Sequence, residues 1–490
     1  MNLENSLLQA KVNNGIELIK NNNLVEAYNI FNELKKNKET KIIGFFFIGI
    51  IHIKKKENQK AKRSFNEVLK LEPLHQDGNL NLGLINFNEK NYEVANFYFD
   101  QVIKINKKNI MANYHQGLAY FFTKKLDKAI NMFQNCIQID NKFIYSYLNL
   151  GHIYLRLKIF NSALKNFSKV LEIDPNHNGS KFNLAWCYFA TSDYNNGFKY
   201  YEFRKEKINP REKTNNVINK FSSPEWLGEN LDNKKILIIS EQGIGDNIQF
   251  FRYLYCVKEN YDAEIIFYTN KNLLYLFKNT PFKIVHDLDD INKIDYHQHL
   301  LSLPGIFYNK NKKIKECINY IKINKINNEK WKNKLKKFQK PVIAINWQGD
   351  KDFLSDESRS IKLLKFENIL KLDKYNYISL QKNFGVEQIK LYKFENLITD
   401  LSSEIDLNGN TFEDTISILN NVNALITSDT AIAHLAGTLG VKTYLLLNFD
   451  QDWRWYIVDK FKSFYPNIEV IQQNKAYDWE SVFKKLEQLL

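Results

Sequence analysis

At 490 residues the chain is too long for one hydrophobic core, so two or three domains are expected. Apolar residues make up 44% and aromatic residues 14%, enough for large cores, which excludes a disordered chain. The net charge of +14 is uneven: residues 1–210 hold 30 Lys and Arg against 19 Asp and Glu, and the remainder holds 39 against 36. The longest apolar run, residues 42–53, is shorter than the ~20 residues that span a bilayer. The first fifteen residues lack the basic-then-apolar pattern of a secretory signal, so a cytoplasmic protein is expected. Cys136, Cys187, Cys256 and Cys317 lie far apart without CxxC spacing, and the histidines form no HExxH. Neither a zinc site nor a disulfide framework follows, and buried free thiols are expected.

The first pattern along the chain is a period. Ala27, Ala61, Ala95, Ala129, Ala163 and Gly197 follow at steps of 34 residues. So do Phe31, Phe65, Phe99, Phe133, Phe167 and Tyr201, and again Gly15, Gly49, Gly83, Gly117, Gly151 and Ala185. Three registers sharing one period over six units predict a stack of two-helix hairpins. Small residues let the helices approach, and the aromatic series is expected to fill the space between one unit and the next. No unit can bury its apolar face alone, so stacking drives folding. This unit resembles the tetratricopeptide (TPR) repeat. The resemblance covers residues 8–211 and implies an all-α solenoid whose groove takes a peptide or protein. A rigid spacer or a dimerisation surface stays open as an alternative.

Beyond Asn209-Pro210 the period stops, and a polar linker over 212–233 is expected. Short apolar runs then begin, each bounded by polar residues: 235–240, 263–268, 342–346, 377–380, 424–427 and 442–447. Such runs read as buried strands, and strands alternating with helices predict parallel sheets covered on both faces. The segment 310–340 divides them into two groups, which suggests two lobes with ligands bound at the carboxyl ends of the strands. That segment carries twelve lysines against Glu316 and Glu329. It can touch anionic lipid at the inner face of the membrane, or it can be a solvated helix. No recognition motif accompanies the charge, so nucleic acid is not expected as a partner.

Each group has a strand-to-helix loop with chemistry in it. Glu241-Gln-Gly-Ile-Gly-Asp246 follows the first run. Gly243 and Gly245 permit a tight turn and close approach of a ligand, but the loop is neither a dinucleotide fingerprint nor a P-loop. Asp246 could equally cap the helix that follows. In Thr427-Ser-Asp-Thr-Ala-Ile-Ala-His434, the residues Ser428, Asp429, Thr430 and Ala431 open a helix and make an anion site suited to a diphosphate, with His434 one turn in. Ordinary capping by Ser428 or Asp429, and a core histidine, would also fit. Asp287-Leu-Asp289 and Asp450-Gln-Asp452 are spaced like metal-binding aspartates, but neither has a metal-site setting.

The run Glu241-Gln-Gly-Ile-Gly-Asp-Asn-Ile-Gln-Phe-Phe-Arg-Tyr253 resembles the signature that opens the transferase region of bacterial TPR-containing glycosyltransferases. Later pieces match in order: Leu301-Ser-Leu-Pro304, Asn346-Trp-Gln-Gly349 with Arg359-Ser-Ile361, Ile378-Ser-Leu-Gln-Lys382, Ser428 to Gly437, and Asp452-Trp-Arg-Trp455. The span 220–490 is similar to the heptosyltransferase-like family 9 of glycosyltransferases. The overall plan also resembles protein O-linked N-acetylglucosamine transferases.

The resemblance implies a two-lobed α/β domain of GT-B, Rossmann-like fold, with lobes at 234–325 and 326–490. It implies an inverting, metal-independent transfer of sugar from a nucleotide sugar, which is a substrate, with no cofactor. The acceptor would be a protein recruited by the repeats; lipid-linked or surface polysaccharide is the alternative, and a non-catalytic scaffold a third. Asp246 matches the proposed catalytic base. Gly243, Gly245, Ser428, Asp429, Thr430, Ala431 and His434 match the donor-binding turns. Arg359 stands near a basic residue of the family that would face the diphosphate. Gln381, Lys382, Asp414 and Thr415 are carried over as donor contacts.

Overall fold

The computed structural model describes residues 2–207, 211–310, 319–352, 356–407, 411–455 and 465–490. Cys317 and residues 311–318 of the basic segment lie outside them.

Residues 2–201 form twelve helices in six hairpins, from Asn2–Lys20 with Leu24–Leu34 to Asn178–Ala190 with Tyr194–Tyr201. The three sequence registers meet inside each hairpin. A Cβ on Gly49, Gly83, Gly117 or Gly151 would fall 2.5–2.8 Å from the ring of Phe65, Phe99, Phe133 or Phe167 in the same hairpin. The aromatic residue therefore lies on the glycine of its own unit, and it also meets the next unit as expected: Phe31 stacks on Phe47 with centroids 4.7 Å apart, and Phe99 on His115 at 5.9 Å. A ring needs a flat, bare backbone to lie on, and the glycine provides it.

A fourth register was not read from the sequence. Asn22, Lys56, Lys90, Lys124, Lys158 and Ser192 all have φ between 59° and 64°, again at steps of 34. They follow the first helices of the hairpins in left-handed caps: after Asn22, Lys56, Lys90, Lys124 and Ser192 the next N–H reaches five residues back, as from Glu57 N to His52 O at 2.8 Å and from Asn91 N to Asn86 O at 2.8 Å. Residues with a Cβ are strained there by ~1–2 kcal/mol, and glycine's extra unfolded-state entropy offsets part of any gain. Lys56→Gly and Lys90→Gly are each expected to stabilise the protein by about 0.5–1 kcal/mol. Thermal melts of the two variants check this; a lowered Tm in both would show that the lysines are not strained.

The chain divides into two compact units, residues 1–154 with 165–175, and residues 155–164 with 176–490. The second unit holds the sixth hairpin and two parallel sheets. The first sheet has the order β3-β2-β1-β4, from β1 (Lys235–Ile239), β2 (Glu264–Tyr268), β3 (Lys283–Val285) and β4 (Tyr296–His299). The second has the order β10-β9-β8-β5-β6-β7, from β5 (Val342–Asn346), β6 (Asn376–Ser379), β7 (Thr399–Asp400), β8 (Ala424–Ser428), β9 (Thr443–Leu447) and β10 (Ile468–Gln472). Every pairing among these strands is parallel. All six runs predicted as strands are strands; β3, β4, β7 and β10 are additional.

In each sheet the strand order reverses at one place, between β1 and β4 and between β5 and β8. Connections leave in opposite directions there, so the loops part and open a crevice at the carboxyl ends of the strands.

Residues 212–233, expected to be a polar linker, are built into the second unit. They contain most of the helix Arg211–Phe221, whose Val217 is buried with Leu237 and Ile239 of β1. Trp226 is fully buried, and its N–H donates to His297 O at 2.8 Å.

Candidate functional site

The two reversal points carry the two loops singled out in the sequence, and the loops come together. Gly245 lies so close to the helix Ala431–Leu439 that a Cβ on it would sit 2.8 Å from His434 Cδ2 and 3.4 Å from Ala431 Cα. Its close approach is thus to the other lobe's helix.

Asp246 is buried and uses both carboxylate oxygens. Oδ2 accepts from Gly243 N at 2.9 Å, three residues back, so the residue does cap its helix. Oδ1 is 2.8 Å from Arg454 Nη2. Burial pushes the Asp246 carboxyl above its ordinary range, against the pull of Arg454. Arg454 lies 3.4 Å through Nε from Asp452 Oδ1, and its charge also reaches Asp429. One guanidinium therefore links the loop after β1 with the loops after β8 and β9.

At the start of the helix Ala431–Leu439 the N-cap is Thr430, and no side chain caps the free N–H groups. Capping by Ser428 or Asp429 does not occur. Thr430 Oγ1 donates instead to Asn346 Oδ1 at 3.0 Å. Ser428 Oγ is fully buried without a hydrogen-bond partner. A buried hydroxyl normally finds a partner, and uncapped N–H groups carry the positive end of the helix dipole. Both features suit an anion.

Arg359 donates from Nη1 to Asp429 O at 3.2 Å and from Nε to Asp356 Oδ1 at 3.1 Å, so it stands beside this turn. His434 is buried, stacks on Trp455 with centroids 5.3 Å apart, and is held neutral by burial and nearby arginines, its pKa pushed down to about 3. It can offer an anion an N–H but no charge. Anion affinity is accordingly expected to show no histidine titration between pH 5 and 8; tighter binding as the pH falls through ~6.5 that disappears in His434→Gln would overturn this.

The other residues named from the sequence are occupied by protein partners. Gln381 Oε1 accepts from Asn346 Nδ2, Trp347 N and Gln348 N at 2.9–3.0 Å, while Nε2 donates to Gln348 O and Phe384 O. Lys382 Nζ donates to Ile405 O at 2.6 Å and Asp406 O at 2.8 Å. Asp414 accepts from Trp331 Nε1 at 2.5 Å and from Asp406 N at 2.7 Å, and Thr415 Oγ1 donates to Asp406 Oδ2 at 2.6 Å. Gln381 thus braces the loop after β5, and Lys382, Asp414 and Thr415 brace residues 405–406.

Among the described residues, no group of His, Cys, Asp or Glu is arranged to hold a metal ion, and no helix is long and apolar enough to cross a membrane. In the described part of the basic segment, Lys334 pairs with Glu404, Lys340 with Asp373 at 2.6 Å, and Lys332 with Glu329 at 3.3 Å. Cys136 and Cys187 are buried free thiols, pushed up to about 11 and about 12 by burial.

Sequence reasoning gave Arg454 no role and missed the support behind Glu241. Arg204, just past the sixth hairpin, is fully buried and donates to Glu241 from Nε at 3.0 Å and Nη2 at 2.7 Å. Glu241 Oε1 also accepts from Leu301 N at 3.0 Å, across the β1–β4 reversal. Trp453 stacks on Phe189 of the sixth hairpin, centroids 4.4 Å apart. The Asp-Trp-Arg-Trp run was visible in the sequence; its pairing with residues more than two hundred positions earlier was not.

Family models of the tetratricopeptide repeat match residues 144–177 and, for a second model, residues 44–73, 77–109 and 112–143. The N-terminal hairpins are TPR repeats. Among solved structures, the chain is similar to MamA, at 22% identity over 34% of this chain and 97% of that one, with a TM-score of 0.32. It is similar to MamA 41-end from Desulfovibrio magneticus RS-1, at 24% over 35% and 96%, TM-score 0.32. It is also similar to YrrB, a TPR protein with an unusual peptide-binding site, at 15% over 35% and 89%, TM-score 0.33. No curated protein matches the chain.

Proposed function

We propose that the second unit is a glycosyltransferase of the GT-B type, with lobes 234–325 and 326–490, moving a sugar from a nucleotide sugar to a polypeptide gathered by the TPR repeats. The observation that carries the reading is the pairing of Asp246 with Arg454 beside the uncapped helix at Thr430. A proton acceptor and an anion site are what glycosyl transfer requires side by side. The acceptor hydroxyl oxygen bonds to the anomeric carbon and its proton passes to Asp246. The bond from that carbon to the diphosphate oxygen breaks, and its electron pair leaves on the nucleoside diphosphate. Attack opposite the leaving group inverts the anomeric centre. Arg359, Arg454 and the helix N–H groups stabilise the departing charge, so the reading requires no metal.

For the acceptor, successive repeats expose Met111 and Tyr145, 34 residues apart, on their first helices. Exposed apolar side chains in register suit an extended segment with apolar side chains.

The test is a thermal-shift screen of the whole chain against nucleoside diphosphates and their sugars, with and without a chelator. A ligand at 100 times its Kd adds about 2.7 kcal/mol of stability. A chelator-insensitive rise in Tm with one nucleotide sugar supports the reading. No rise with any of them favours a scaffold that lacks catalysis.

A further inference from the structure

We propose that Arg454 is a catalytic residue that changes partner: without donor it neutralises Asp246, and an arriving diphosphate draws it away, so that one event binds the leaving group and frees the base. This rests on the donor-site reading above and assigns within it the cation and the order of events.

Three observations support the assignment. First, Arg454 is placed to serve both groups. It is 2.8 Å from Asp246 Oδ1 and acts electrostatically on Asp429 at the uncapped turn. A planar fork of N–H donors matches a diphosphate better than it matches one carboxylate oxygen.

Second, the residues that lead to it are anchored by side-chain contacts, so the guanidinium is the group free to change partner. Trp453 is stacked on Phe189 and lies 5.0 Å, centroid to centroid, from Tyr201. Asp450 is held by Arg156 Nε at 3.2 Å, and Lys158 Nζ lies 4.4 Å over the Phe449 ring. Third, Ser428 Oγ, next in sequence to Asp429, is buried and without a hydrogen-bond partner.

The partner change has a proton signature. The charged or titratable groups that reach Asp246 are Arg454, Asp452, Glu241, Asp429 and Tyr201. Of these, Arg454 is the cation. With it withdrawn, burial and the acidic neighbours are opposed by the Gly243 N–H bond and no longer by the guanidinium, and the carboxyl becomes more basic still. Diphosphate binding in mildly acidic buffer then takes up a proton at Asp246.

The experiment is titration calorimetry of the full chain with ADP, GDP, UDP and inorganic pyrophosphate, at pH 5.5–6.5 in buffers of differing ionisation enthalpy. Wild type is expected to bind at least one probe with net proton uptake. Asp246→Asn is expected to bind that probe at least as tightly, with the uptake lost; this difference also removes any contribution from the probe's own phosphates. Arg454→Gln is expected to lose at least about tenfold in affinity, and Arg454→Lys less. If Arg454→Gln does not fold, the Lys variant and the proton count still decide.

Wild-type affinity in the Arg454 variants overturns the assignment and leaves the donor site standing. Uptake that persists in Asp246→Asn overturns the release of the base. Binding of no probe by wild type defeats the donor-site reading and this inference with it.

Discussion

Asp246→Asn is expected to lower transfer by about 100- to 10,000-fold, the range a positioned general base contributes. Asparagine keeps an oxygen for Gly243 N–H, so the loop and its helix start persist. It cannot take the acceptor's proton. Donor affinity is expected to be equal or tighter, because Arg454 then has no Asp246 carboxylate to leave. The pH profile follows from the same burial. Burial raises the carboxyl's pKa, so Asp246 protonates at a higher pH than an exposed aspartate. A base works only unprotonated, so the acid limb of kcat/KM is displaced upward and vanishes from the residual rate of the variant. Loss of donor affinity in a folded Asp246→Asn protein would show that the residue holds the donor and does not act as the base.

The second large effect is on folding. Arg204→Met leaves Glu241 charged and buried with no cation in contact, which costs about 3–5 kcal/mol. The double variant Arg204→Met with Glu241→Met buries no charge and is expected to recover most of that loss. Truncations read the same contact at larger scale. Removal of residues 1–175 keeps the sixth hairpin, Phe189 and Arg204, and the remainder is expected to fold. Removal of residues 1–205 deletes all three and is expected to yield an aggregated product. Circular dichroism melts compare the pair; equal Tm values for the two truncations would mean that the last repeat is only an attachment.

Much of the architecture was legible because it repeats or because it is apolar. A period of 34 in three registers needs no tertiary information, and neither do runs such as 442–447. What escaped was structure stabilised from outside its own segment. Tyr296–His299 has no apolar run, yet forms β4: His297 Nδ1 meets Ser223 Oγ at 3.0 Å, and Gln298 Nε2 donates to Trp226 O at 2.8 Å. Residues that looked like a linker thus satisfy a buried polar strand, and each segment is explained only by the other.

The candidate site divides the same way. Asp246 and the turn from Ser428 to His434 could be found because local loop chemistry marks them. Gln381 and Lys382 lie in a matched motif and Asp414 and Thr415 were carried over from the family without one, but the hydrogen bonds of all four go to protein neighbours. Arg454 needed the fold to bring it to Asp246. The left-handed lysines escaped because lysine, unlike glycine, gives no hint of that backbone.

The buried contact between Arg204 and Glu241 also sets a timetable for synthesis. The repeats leave the ribosome first, and each can settle on the one before it. Arg204 cannot, because two of its partners, Glu241 and Ser302, are encoded later. At roughly 5–20 residues per second, the chain takes about 5–20 s to reach Ser302, and longer to reach Trp453. For that interval the sixth hairpin presents a guanidinium that lacks its later partners, and the bare faces of Phe189 and Tyr201. The nascent chain is most open to a chaperone, or to a second copy of itself, at the seam where its two architectures will join.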